Sequence, residues 1–337
     1  MFSNFIRLGA ALSAAVLLAS CSSGSGQAET QQSTPEGLFE GQITTTFTNS
    51  PAGTGTTSTT LPSCGGPQNV ILFVDYAGAF YMFNTASAPA ASNQQPQVLY
   101  ASSGTMTFSG GSVGSSSVLE VVPPNSIGVS ATAPNGTNCG VPITYAGEKI
   151  NGVTQVGNSA NAPTFTGAYN TAQNIAGVFT YPLAIDNNND FKTSCFGTGG
   201  CTSATNSLTY DTDYQNVQNL GTLAGTYTGT VATSQFSESA TFTFGPASVA
   251  ANSGNAFGVG LVSGTGASGC TYNGTVSPLF KGNGYTLLLN SGGIPCALPN
   301  NQFAGLVYLY AAGNQLYSFS PNAARTDGLI FTGLRQH

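Results

Sequence analysis

Chemistry in this chain has to come from carboxylates, because the side chains that usually assist them are nearly absent. Twelve Asp and Glu stand against six Lys and Arg and a single His, His337, at the last position. A Ser–His–Asp triad would need that His as its base, and a fraying terminus holds no imidazole in register. The acids that could act are Glu36 with Glu40, Asp211 with Asp213, and the separate Glu120 and Glu238. Two facing carboxylates can hydrolyse a glycosidic bond by acid–base catalysis. None of these acids sits in a hydrolase-like motif, so solvated or turn-forming carboxylates are the competing reading.

Asp186, Asn188 and Asp190 place oxygens at alternating positions, as the start of a Ca2+ loop does. The glycine expected next is Phe191 and the twelfth position is Gly197, not an acid, so an Asn-rich turn competes. Arg325-Thr-Asp-Gly328 reads as a turn with Arg325 and Asp327 paired locally. Tyr308 and Tyr310 share a strand face with Leu306, either as core or as an outward contact surface for protein or carbohydrate.

The N-terminal stretch carries an address rather than structure. Arg7 precedes an apolar run, Leu8 to Leu18, long enough for an export signal and shorter than the roughly 20 residues a membrane span needs. The sequence Leu18-Ala19-Ser20-Cys21 resembles the lipobox of bacterial lipoproteins. That resemblance implies cleavage between Ser20 and Cys21, with Cys21 carrying a thioether-linked diacylglycerol and an amide-linked acyl chain such as palmitate. Each buried CH2 contributes about 0.8 kcal/mol, so several chains hold a protein on a membrane where one is marginal. Ser22, in place of Asp, implies the outer membrane, with the periplasmic or outer face left open.

Six cysteines remain: Cys64, Cys139, Cys195, Cys201, Cys270 and Cys296. An even number in an exported chain reads as disulfides. Nearest-neighbour pairing would join Cys64 to Cys139, Cys195 to Cys201 and Cys270 to Cys296. No CxxC is present, which argues against zinc or a redox pair, and no cofactor is expected.

Charged residues make up only 5% of the chain, against about a quarter in an ordinary protein. Loss of Arg7 with the signal leaves five basic and twelve acidic residues, a net charge of −7. No basic stripe exists to neutralise phosphates, which excludes nucleic acid as a partner class. A surface of neutral amides and hydroxyls finds partners by shape and hydrogen bonding. Fourteen Tyr and twenty Phe supply a core despite 44 Gly.

The elements that must position these residues are strands. Short runs such as Val70–Tyr76 and Ala79–Phe83, joined at Ala77-Gly78 by a two-residue hairpin turn, recur between Gly- and Ser-rich loops. After residue 222 the alternation sharpens, as in Ala240-Thr-Phe-Thr-Phe244. Eight such strands on short turns predict an up-and-down barrel, which removes exposed edges. A short helix over Thr212–Leu220, boxed by Thr212 and Gln215 and ended by Gly221, either covers one barrel end or serves as a linker turn. The segment Phe73–Phe83 is echoed by Val307–Phe319, which suggests two related β domains.

The predicted organisation is all-β, with two antiparallel β domains. Residues 1–20 form the signal, 21–35 a flexible tether, and 36–180 an N-terminal β domain. A linker with a short helix covers 181–221, and the C-terminal barrel covers 222–337. The opening Glu36-Gly-Leu-Phe-Glu-Gly41 and the ending Arg325 to Gly333 resemble those of proteobacterial outer-membrane lipoproteins without assigned activity. The strand Gly225-Thr-Tyr-Thr-Gly229, opening an eight-strand meander, is similar to barrel domains of surface lipoproteins of the transferrin-binding and factor-H-binding kind. The low charge and extra cysteines depart from that pattern, so only architecture carries over. The functional expectation is a lipid-anchored, non-enzymatic binding or structural surface module with a protein or carbohydrate ligand. A carboxylate-dependent secreted hydrolase and an extended β-rich adhesin or stalk are the alternatives.

Overall fold

The computed structural model describes residues 36–49, 59–61, 68–85, 98–115, 118–121, 123, 164–170, 174–183, 190–196, 208–216, 219–248, 258–310 and 314–336. Cys21, Cys64, Cys139, Cys201, Asp186, Asn188 and His337 lie outside them.

The first sheet contains β1 (Gly37–Asn49), β2 (Thr59–Leu61), β3 (Gln68–Val74), β4 (Ala79–Thr85), β5 (Val98–Thr105), β6 (Thr107–Ser109), β7 (Ser112–Ser115), β8 (Leu119–Val121), β9 (Thr164–Asn170), β10 (Asn174–Leu183), β11 (Asp190–Phe196) and β12 (Leu208–Asp211). Its main path runs β6-β7-β9-β10-β11-β1-β3-β4-β5-β8, with β12 beside β1 and β10 and β2 beside β1. A four-residue helix, α1 (Leu220–Leu223), leads into the second system. There β13 (Gly225–Ala232), β14 (Ser237–Ser248), β15 (Val259–Gly266), β16 (Thr271–Pro278), β17 (Gly284–Ser291), β18 (Gln302–Leu309), β19 (Gln315–Pro321) and β20 (Gly328–Arg335) close a barrel in sequence order. The all-β, two-part class with a C-terminal eight-stranded up-and-down barrel is as the sequence predicts.

The barrel follows from period-two alternation. On β17, Tyr285, Leu287 and Leu289 point inward while Thr286, Leu288 and Asn290 face out. The inner residues fill the lumen with rings: Phe242 lies 5.2 Å from Tyr272 and 4.4 Å from Phe331, centroid to centroid. Gly264 makes room for the Phe242 ring, since a Cβ there would meet it at 2.6 Å. Both ends are stopped. At one, Leu220 and Leu223 of α1 join the interior core, and Tyr227 and Tyr285 donate hydroxyl hydrogens to the carbonyls of Leu223 and Asn219 at 2.9 and 3.0 Å. At the other, a disulfide joins Cys270 to Cys296 and Leu298 packs onto the core.

Around β1, β3 and β4 the first sheet is buried on both faces. Phe39, Leu72, Phe80 and Met82 belong to its own core. Their strand neighbours Leu38, Ile71, Phe73 and Phe83 lie instead against Leu306, Tyr308, Tyr317 and Phe319 on the outer wall of the barrel. Phe83 and Tyr317 stack with centroids 5.7 Å apart, and Phe73 sits 6.4 Å from Tyr308. Each such aromatic pair adds about 0.5–1.5 kcal/mol beyond the burial of its area.

Three local expectations are corrected. Within 181–221, which the sequence reads as a linker, residues 181–183, 190–196 and 208–211 instead belong to β10, β11 and β12, strands of the first sheet. The turn between β3 and β4 is longer than two residues. Asp75 accepts Gly78 N–H through its carbonyl and the N–H groups of Ala77 and Ala79 through its carboxylate, so Asp75 joins the loop. Gly78 there has φ +82° and a Cβ would meet the Met106 carbonyl oxygen at 2.6 Å, so glycine is required twice over. The single helix over Thr212–Leu220 is two separate turns. Asp211 caps a 3-10 turn at Thr212–Gln215, and Asn219 starts α1 by accepting Thr222 N–H. Two capping side chains eight residues apart each begin their own turn, and Gly221 falls inside the second.

Replacing Phe242 by Ala removes the ring that packs on both Tyr272 and Phe331 in the lumen and is expected to cost about 3–5 kcal/mol in denaturant titrations. The outward Thr265→Ala should stay within about 0.5 kcal/mol of wild type.

Candidate functional site

Acidic side chains converge where β1 and β12 meet the barrel wall. Leu38 and Glu40 project from the same face of β1, and Leu38 belongs to the core shared with the barrel. Asp211 stands opposite Leu38 and Thr209 opposite Glu40, so Asp211 is the diagonal neighbour of Glu40 on that face. Asp213 follows on the 3-10 turn, where its N–H donates to Asp211 Oδ1 at 2.8 Å. From the barrel come Tyr308, fully buried, and the half-buried Tyr310.

The electrostatics are unusual for so weakly charged a chain. Burial pushes the Glu40 carboxyl up to about 7, and Asp211 and then Asp213 add to the rise. Its Oε1 is enclosed and accepts no hydrogen bond. Burial and then Asp211 raise Asp213 as well. The Tyr308 phenol is held far above its ordinary value by burial first, then by Glu40 and Asp211. A carboxyl that keeps its proton near neutrality beside other carboxylates is the environment in which one acid donates and another accepts a proton. Among the described residues no group of three His, Cys, Asp or Glu is placed to hold a metal ion.

The other sequence candidates are scattered. Glu36 pairs with Lys281 at 3.4 Å rather than facing Glu40. Glu120 is buried on β8, with Ser102 Oγ at 3.4 Å from its carboxylate. Glu238 braces the β15–β16 turn, accepting from Ser268 N–H at 2.6 Å and Ser268 Oγ at 3.0 Å. Asp190 begins β11 and Cys195 lies within it.

The local Arg325–Asp327 pair is a further correction. Asp327 is buried and accepts from Ser234 N–H and Oγ at 3.1 and 2.6 Å, which fastens the β13–β14 turn. Arg325, at φ +50°, reaches across to the Ser103 carbonyl of β5 at 3.2 Å. The turn conformation directs the two side chains to different strands. The Tyr308 stripe is core, as the first of its two readings had it, but the core it joins lies outside the barrel, against the first sheet. Sequence reasoning grouped acids by proximity along the chain and so missed the Glu40–Asp211 neighbourhood. The one signal for it was the shared parity of Leu38 and Glu40.

No protein-family model and no curated protein sequence matches the chain. Solved structures of transferrin-binding protein B resemble it distantly. The isotype 1 protein of serogroup B Neisseria meningitidis aligns at 9% identity and TM-score 0.25, over 90% of this chain and 77% of that one. A single-substitution variant of the Haemophilus parasuis Hp5 protein aligns at 10% identity and TM-score 0.20, over 90% and 77%. Likeness this slight transfers neither ligand nor residue role. No helix among the described residues is long and apolar enough to cross a membrane.

The raised Glu40 value has a direct consequence for stability. The folded state holds the proton up to about pH 7, whereas the unfolded chain releases it near 4.5, so stability falls as pH rises across that interval. Thermal melts should show a fall in Tm from pH 5 to 7.5 that is smaller in Glu40→Gln; equal falls in both proteins would contradict the placement of this carboxyl.

Proposed function

We propose that the chain is a lipid-anchored protein of the outer membrane that acts as a non-enzymatic binding or structural module. The observation carrying this reading is the filled barrel, whose lumen is packed with side chains and stopped at both ends. A barrel of this kind encloses no ligand and instead holds its outer surface rigid for recognition. That surface suits water rather than lipid. Thr228, Thr241, Thr265, Asn273 and Asn290 face outward, where a membrane barrel would carry an apolar band. Attachment then falls to acyl chains on Cys21, cut free at the Ser20–Cys21 bond. Closure of the barrel weighs against an extended stalk.

A second reading is supported by one feature, the convergence of Glu40 with Asp211 and Asp213. These acids fit a hydrolase that acts on neutral glycosidic bonds, with protonated Glu40 as general acid.

Two measurements address these readings. In cells given labelled palmitate, the wild-type chain should be labelled and sediment with outer membranes, and Cys21→Ala should lose both properties. An unlabelled wild-type chain, or a Cys21→Ala variant still in the membrane, would remove the anchor. Release of reducing ends from a panel of β-linked polysaccharides, abolished by Glu40→Gln, would establish the hydrolase in place of the module; no release from wild type discards it.

A further inference from the structure

A second feature lies on the outside of the barrel. Tyr81 of β4 overhangs the barrel wall formed by β16, β17 and β18, leaving a cleft of about 330 Å3. The volume sits at the lower end of the roughly 300–1,000 Å3 common for small-molecule sites. Strand register arranges its floor in two rows. Thr275 stands opposite both Leu261 and Leu288, and Leu288 stands opposite Ala304, which makes a cross-strand row of mainly apolar side chains. Two residues further along, about 7 Å, Ser277 stands opposite Thr286 and adds a row of hydroxyls. Leu261 and Leu288 are 61% and 40% exposed, in contrast to the outward leucine Leu306, which the first sheet covers.

The polar groups here are open to a ligand. Thr286 Oγ1 donates to the Ser277 carbonyl at 3.2 Å and keeps its lone pairs free. Among the described residues, the hydroxyls of Tyr81, Thr275 and Ser277 make no hydrogen bond. Each can donate and accept. No charged side chain lines the cleft.

These properties restrict the occupant. Without charge in the lining, an anion or cation gains nothing there over water. An extended peptide binds by adding to a free sheet edge, and the strands under this cleft are paired on both sides within a closed barrel. What fits is a neutral molecule with an apolar face and a rim of hydroxyls, which is the chemistry of a sugar ring. Such a ring would rest its C–H face on Leu288, Ala304 and the Tyr81 ring and turn its hydroxyls to Thr275, Ser277 and Thr286.

We propose that this cleft is a binding site for a short neutral saccharide. The proposal rests on reading the chain as a binding module and names the ligand class and its place. Ala304 is exposed on the cleft floor, so Ala304→Trp fills the site without touching the lumen. The probes are maltotriose, cellotriose and diacetylchitobiose, titrated into full-length lipidated protein in a sugar-free detergent and followed by saturation-transfer NMR. At least one should bind through its ring protons. Ala304→Trp should abolish the transfer, Thr275→Val with Ser277→Ala should weaken binding at least tenfold, and Thr241→Trp on β14 should leave it unchanged. Unaltered thermal melts show that each variant is folded. Binding that survives Ala304→Trp would overturn the cleft while leaving the module reading in place. Failure of all three probes to bind would overturn the saccharide, whereas the anchor is decided separately by Cys21→Ala.

Discussion

A sheet that is apolar on both faces cannot stand alone, and around β1, β3 and β4 the first sheet of this protein is apolar on both. One face closes on its own core. The other presents Leu38, Ile71, Phe73 and Phe83, which would cost free energy in proportion to their area if left in water. The barrel covers that face with its own outer wall, so Leu306, Tyr308, Tyr317 and Phe319 point away from the lumen and are still buried. Much else follows from this one contact. It desolvates Glu40 beside two other acids, it draws Arg325 across to β5, and it sets Tyr81 over the barrel to form the cleft.

The hairpins that make the contact are the two segments that echo each other along the chain. Phe73 and Phe83 flank the β3–β4 hairpin, and Tyr308 and Tyr317 occupy the β18–β19 hairpin. Aromatic residues spaced along each ribbon meet in tilted pairs across the contact, so the shared pattern is explained by packing. Inside the barrel a different set of rings fills the lumen, and two of the tyrosines among them place their hydroxyls against carbonyls. Tyr227 and Tyr285 do so at the α1 end, where Arg335 also donates to the Tyr227 hydroxyl. A buried Tyr without such a partner would pay the desolvation of its hydroxyl unrelieved.

Low charge shapes the electrostatics as much as the few charges do. Lys281 is engaged with Glu36, and Arg325 and Arg335 donate to backbone carbonyls. Among the described residues the acids around Glu40 repel one another in a partly desolvated setting, which favours the protonated form of Glu40. In the same molecule the neutral outer wall leaves hydroxyls and isolated leucines to determine what can bind. Recognition through hydrogen bonds and apolar contact is what remains when field effects are weak.

Local order along the chain determined the strands, since Ala240 to Phe244 or Tyr285 to Leu289 announce a half-buried strand through alternation alone. Short turns between eight such strands determined the barrel, because consecutive antiparallel neighbours leave little other choice. Capping was legible only in part. Asp211 and Asn219 were visible as residues, but which of them would begin a turn depended on where β12 ended. Tertiary structure alone decided that β11 and β12 join the first sheet, that Asp211 stands diagonal to Glu40, and that Arg325 and Asp327 part company. The physical reason is range: alternation and turn chemistry act within a few residues, whereas strand partners and the covering of a face are chosen across more than a hundred.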